Sequence, residues 1–319
     1  MKGILSNSLN TVTKSLDEFM VSDAFRGVNE KVPAVEKFVN ETDTNPETIE
    51  ELGEFGETLE TGDCIIVHCT HTFGKLTQIG THSCWDHVGM IVKCAEEDVP
   101  ARLALMADKP IPKSQYMAWP EPRKEKTEVF EAMGVGCFPY PFTAHVTNRG
   151  DTFKYMAVRR LRNRKGEPLD REQKRKIEEC VREFWGRPYE AGKKGYLEMA
   201  RAEFNLLSGP NIHKKRDKSR EALDNMFCSE LVTEAYQAAG ILPELNLNSN
   251  EVMPSMFAPG NTIDKYLEAE DHGFRLTDVE IFKAPGTPLH QAISAKRNAC
   301  LPTYLQIKED PKPLPSLKH

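Results

Sequence analysis

Among side chains, cysteine is the strongest nucleophile near neutral pH, and histidine is the one whose ordinary titration falls there. Cys228 stands in "FCSELVTEAY", at the first turn of a run with helical spacing. The unpaired N–H groups of a first turn carry partial positive charge, which favours a thiolate and lowers the pKa of a thiol placed there. The bland alternative is a packed thiol, because unpaired cysteine is among the most buried residue types. A nucleophile also needs an imidazole that takes a proton and gives it back to the leaving group. His87, in "WDHVGMIV", is the best candidate. Strand alternation puts His87, Gly89 and Ile91 on one face and Val88, Met90 and Val92 on the other. Gly89 is then a place where the substrate or the Cys228 helix can approach closely. Glu131, in "TEVFEAMGV", lies on a run able to pair antiparallel with the His87 strand, which would bring its carboxylate to the distal ring nitrogen. On its own Glu131 could equally lie on an exposed strand face.

These residues need elements to carry them. "TGDCIIVHCT" and "CWDHVGMIVKC" read as strands separated by the polar "HTFGKLTQIGTHS", and "TEVFEAMGVGCF" and "FKYMAVRRL" continue the series. Residues 95–126 are too long for a tight turn and read as a flap or a partly helical insertion. In "DREQKRKIEECVREFWGRPY" the apolar set Ile177, Cys180, Val181, Phe184 and Trp185 follows helical spacing, with Asp170 and Gln173 placed to cap the start. The Cys228 helix offers Leu231, Ala235, Ala238 and Ala239 as a small packing face and should end at Gly240, ahead of Pro243.

Residues 1–20 carry an amphipathic helical stripe whose expected role is packing on the body, with weak membrane-surface contact as the second reading. Residues 41–60 hold eight acidic side chains and no basic one, which reads as a solvated linker with a short helix. The tail "PKPLPSLKH" should be loose.

The 319 residues, 39% apolar and 28% charged, are enough for one large domain or two ordinary ones. A formal net charge of −6 gives no general reason to expect nucleic acid. No run of about 18 apolar residues is present, and the first twenty residues lack a signal-peptide pattern, so a cytoplasmic location is expected. Eight widely spread cysteines do not form a dense disulfide framework, so reduced thiols are expected.

Two other chemistries compete. Cys64, His68, Cys69, His71, His82, Cys84, His87 and Cys94 are dense enough to suggest zinc. Zinc needs four convergent ligands, however, and alternation sends strand neighbours to opposite faces, so neither metal nor cofactor is expected. Residues 159–176 hold nine Lys or Arg against three acids, which an anionic partner such as RNA or a phosphoinositide surface could read. With no nucleic-acid motif beside it, the run reads as a solvated helix face.

The order of "GD" strand, "HVGMIV", "VFEA", "GRPY", "FCSELV" and "EVMPSMFA" resembles the circularly permuted NlpC-type papain-like amidases, the YiiX/YaeF-like group of cysteine hydrolases. The resemblance spans roughly residues 59–285, and its ordering is specific: His87 precedes Cys228 by 141 positions, the reverse of ordinary papain-like enzymes. It implies an α+β domain over 59–285, in which an antiparallel sheet packs against a helix carrying the nucleophilic cysteine. An N-terminal helical and acidic extension over 1–58 and a tail over 286–319 flank it. It also implies Cys228 as nucleophile, His87 as base and Glu131 as orienting residue, with Asp63 structural in the Gly-Asp turn. Asp86, where many relatives have a small hydroxyl residue, and Tyr189, in "GRPYEA", are the expected substrate-binding residues. The implied activity is hydrolysis or acyl transfer at an amide or ester bond through a Cys228 thioester, on a small-molecule, lipid, fatty-acyl or peptide-like acyl substrate. The backbone N–H of Cys228 would be one oxyanion donor. The alternative is a catalytically inactive member of the group that binds an anionic partner.

Overall fold

The computed structural model describes residues 46, 48–69, 83, 85–110, 126–148, 153–189, 226–242, 249, 252–269 and 273–283. The stripe at 1–20 and the tail at 286–319 lie outside them.

The centre is a six-stranded sheet in the order β4-β3-β2-β1-β5-β8. Its strands are β1 (Cys64–Cys69), β2 (His87–Lys93), β3 (Thr127–Met133), β4 (Gly136–Pro141), β5 (Phe153–Arg159) and β8 (Glu280–Lys283). Every neighbouring pair in it is antiparallel. A separate ribbon pairs β6 (Leu161–Asn163) with β7 (Phe274–Leu276). With helices on both faces this is an α+β fold. The run "TEVFEAMGVGCF", expected as one strand, is a hairpin, and Met133 faces Gly136 at its turn.

The alternation of β1 to β3 divides the core in two. On one face Ile66, Met90 and Phe130 pack beneath α4 (Arg171–Phe184) and α5 (Cys228–Ala238). On the other Ile65, Ile91 and Val129 meet α1 (Ile49–Glu57) and α3 (Phe142–Asn148). The expected apolar stripe of α4 is buried at all five positions, and Asp170 with Gln173 forms the capping box. α5 ends before Gly240, whose φ is +71°. Its packing face, Leu231, Val232, Ala235, Tyr236 and Ala239, is larger than the small-residue face expected, and Ala238 turns outward.

The acidic stretch is more than a linker. Thr48 and Glu51 cap α1 reciprocally, Leu52 drops into the core, and Thr127 Oγ1 donates to the Gly56 carbonyl at 3.0 Å. Within 95–126 the chain forms a 3-10 turn and then α2 (Val99–Asp108). Asp63 is fully buried and accepts from the backbone N–H groups of Glu60 and Leu161 and from the Arg162 guanidinium. It has the structural role expected of the Gly-Asp turn.

The start of β4 is tied to the chain that leads into α5. Cys137 N–H donates to the Arg187 carbonyl, Gly186 N–H to the Cys137 carbonyl, and Met226 N–H to the Pro188 carbonyl. The "GRPY" segment is therefore the joint between the hairpin and the Cys228 helix. Gly136, at φ +121°, allows the close approach, because a Cβ there would stand 2.8 Å from the Arg187 oxygen.

Candidate active site

Phe227 is extended and Cys228 is the first helical residue of α5. The Glu230 carboxylate reaches back to accept the Phe227 N–H at 3.3 Å. Three further bonds fix the helix. Ser229 Oγ donates to the Val252 carbonyl at 2.6 Å, Thr233 Oγ1 to the Ser229 carbonyl at 2.8 Å, and Tyr236 OH to the Gly62 carbonyl at 2.6 Å. The "EVMPSMFA" segment is thus tied directly to the residue after the thiol.

His87 opens β2, and Asp86 sets where the strand begins. The Asp86 N–H donates to the Val67 carbonyl at 3.0 Å, and Asp86 Oδ1 accepts the Cys69 N–H at 2.8 Å, beside the irregularity between His68 and Cys69. By alternation His87 shares the α1/α3 side with Val67, Ile91 and Val129, whereas Cys228 belongs to the core under α5. They meet because both are terminal, one opening a strand and the other a helix. Glu131, fully buried on β3, holds His87 Nε2 at 2.7 Å through Oε2. The Cys228 sulfur is the other electrostatic partner of the same imidazole. Cys228, His87 and Glu131 therefore act on one another at this end of the sheet.

Gly89 has a different role from the one expected. A Cβ there would stand 2.9 Å from Val129 Cγ1 and 3.4 Å from Glu131 Cβ. Its bareness makes room for β3 side chains on the His87 face, including the stem of Glu131, rather than for substrate or for α5.

The electrostatics agree with the geometry. Burial alone would disfavour a charged imidazole at His87, but the Cys228 sulfur and the Glu131 carboxylate outweigh it and hold its pKa well above the ordinary histidine value. Other thiols are set apart. Burial pushes Cys64, Cys137 and Cys180 up to about 12 and Cys69 higher still, where the Asp86 carboxylate adds to the effect. These four are packing residues.

Tyr189 forms a parallel bridge with Met226, and its ring meets Phe227 edge-on at 6.1 Å between centroids, which places it beside the start of α5. Asp86 is buried, next in sequence to His87, with its carboxylate on the Cys69 backbone. Sequence reasoning missed His145. It lies on α3, and its Nδ1 stands 3.4 Å from Glu131 Oε1. The spacing of Phe142, His145 and Val146 in "PFTAHVTN" was the available signal, a short helical stripe directly after β4.

Of the cysteines and histidines considered for zinc, His71, His82 and Cys84 lie outside the described residues. Cys64 and Cys69 point to opposite cores. Among the described residues no group of three or more His, Cys, Asp or Glu is placed to hold a metal ion, and no helix is long and apolar enough to cross a membrane.

Fold and site together define an α+β protein with a buried Cys-His-Glu constellation at one end of its sheet. No family model matches the chain, and no curated protein matches it. Among solved structures the chain is similar to the metalloprotein yiiX from Escherichia coli O157:H7, described as DUF1105. The identity is 21%, the match covers 57% of this chain and 67% of that one, and the TM-score is 0.33. At that level the likeness adds nothing to the site, which stands on its own geometry.

Proposed function

We propose that the protein is a cysteine-dependent hydrolase or acyltransferase of the permuted papain-like kind. The observation that carries this reading is the His87 imidazole bound to Glu131 at 2.7 Å, with the Cys228 sulfur at the start of α5 its other electrostatic partner. The Cys228 thiolate attacks an amide or ester carbonyl, forming the C–S bond and driving the carbonyl electron pair onto oxygen. The Cys228 backbone N–H, at the positive end of α5, stabilises that oxyanion. As the oxyanion collapses, the C–N or C–O bond breaks and His87 gives its proton to the departing amine or alkoxide. The neutral imidazole then takes a proton from water, or from an acceptor alcohol or amine, as its heteroatom attacks the thioester. Loss of the C–S bond releases the acyl product and restores the thiolate–imidazolium pair.

The substrate is a small-molecule, lipid-like or peptide-like acyl compound, and we place the reaction in the cytoplasm. Tyr189, whose ring meets Phe227 beside the start of α5, is the residue through which substrate shape would be read, while the Asp86 carboxylate, on the Cys69 N–H, would act by holding the start of the His87 strand. The test is capture of the acyl-enzyme: intact protein is mixed with p-nitrophenyl esters of short and long acyl chains and digested for peptide mass. An acyl adduct on the Cys228 peptide, removed by neutral hydroxylamine and absent from Cys228→Ala, is expected. Full ester turnover by Cys228→Ala would contradict the mechanism and leave the inactive, anion-binding reading as the next to pursue.

A further inference from the structure

The carboxylate that orients His87 serves two histidines. Glu131 is fully buried, one oxygen lies 2.7 Å from His87 Nε2, and the other lies 3.4 Å from His145 Nδ1. The two rings come from different elements, His87 from β2 and His145 from α3. The second is firmly placed: Phe142 and Val146 of the same helix lie in the α1/α3 core, and the His145 ring stands 6.4 Å from that of Tyr140 on β4, at an interplanar angle of 35°.

A carboxylate on a flexible stem holds an imidazole well only if its own rotation is fixed. A single bond through Oε2 leaves the group free to turn about its terminal torsion, which is broad in glutamate. The His145 ring beside Oε1, at 3.4 Å an electrostatic contact rather than a hydrogen bond, opposes that turning and favours the ionised carboxylate. We propose that His145 is a positioning residue of this site, holding Glu131 by Oε1 so that Oε2 stays aligned on His87. This deepens the reading of Cys228, His87 and Glu131 as one unit and rests on it. Among the described residues, the groups facing His87 are Cys228 from α5 and Glu131 from β3, while Cys69 on β1 and Asp86 share their field.

The test reads geometry and not turnover, so that its failure is separate from failure of the enzymatic reading. In the Cys228→Ala protein, where the thiol no longer contributes, the ring nitrogens of His87 are titrated by NMR. Two substitutions of similar volume are compared. His145→Asn keeps an amide nitrogen where Nδ1 stands and should leave the His87 midpoint in place. His145→Leu keeps bulk but no donor and should lower it by about one unit as the carboxylate turns away. Equal midpoints in both variants, whether both unchanged or both lowered, would overturn the proposal. If the leucine variant does not fold, His145→Gln replaces it. Its amide nitrogen falls at the position of Nε2, so the midpoint should drop, and an unchanged midpoint would equally overturn the proposal. Absence of an activated thiol in the intact protein would instead count against the functional reading.

Discussion

Two buried charged clusters hang from the same strand, three residues apart and on opposite faces. Glu128 of β3 points to the α5 face, where it and Glu178 of α4 grip the fully buried Arg102 of α2, with Glu178 bidentate at 2.9 and 2.6 Å. Glu131 points the other way and binds His87 and His145. The first cluster is locked: a guanidinium stays charged at any working pH, its fork matches a carboxylate, and there is no proton to move. The second pairs a carboxylate with imidazoles, which can take and give a proton, and the Cys228 sulfur acts electrostatically on one of them. Burial and ion pairing alone do not mark a reactive site. What the proposed chemistry needs is a transferable proton beside a thiol.

Mutations in the two clusters should act in opposite ways. Cys228→Ala and His87→Ala should each cut turnover of an acyl ester by roughly 10⁴- to 10⁶-fold with the fold unchanged by circular dichroism, because the groups act as a unit. Arg102→Leu should do the reverse. Stranding two buried carboxylates should lower stability by about 3–5 kcal/mol in urea unfolding, without altering the pH profile of Cys228 alkylation. Glu131→Gln lies between, with turnover down by roughly 10²-fold, since the imidazole remains but its orienting charge is gone. Gly89→Ala should disturb the Glu131 side through packing alone. The added Cβ pushes on Val129 and the stem of Glu131, at a cost of about 1–3 kcal/mol, and alkylation should slow with it.

The smallest effect expected is a pH dependence. The pKa of His87 is raised in the folded protein, so its contribution to stability is full below the ordinary histidine value near 6.5 and is lost as pH rises through about 10. The stability deficit of His87→Gln should therefore be largest near pH 6 and shrink as the solution becomes alkaline, measured by urea unfolding across that range.

How much of this was legible in the sequence depends on the range of each interaction. The strands of "DCIIVHC" and "HVGMIV" and the stripe of α4 are local patterns, and they were readable. Cys228, His87 and Glu131 stood out as candidates because a helix start, an alternating strand and an acid within an apolar strand are each local anomalies, and the structure brings His87 and Glu131 together. The Arg102 cluster was not, because its partners lie 26 and 76 positions away and Arg102 sits in what looked like an insertion. α3 has seven residues, too few for its periodicity to stand out, so His145 was missed. Gly89 was recognised as a place of close approach, but the neighbour turned out to be the adjacent strand. Which face a strand turns to which helix depends on long-range packing, and alternation alone does not supply it.

The most direct test of the central claim is the pH dependence of iodoacetamide labelling at Cys228, mapped by peptide mass, in the wild type and in His87→Ala. A working thiolate–imidazolium pair predicts rapid labelling already near pH 6 that disappears without His87. Labelling that rises only around pH 8.5, as for an ordinary thiol, and is unchanged by His87→Ala would contradict it.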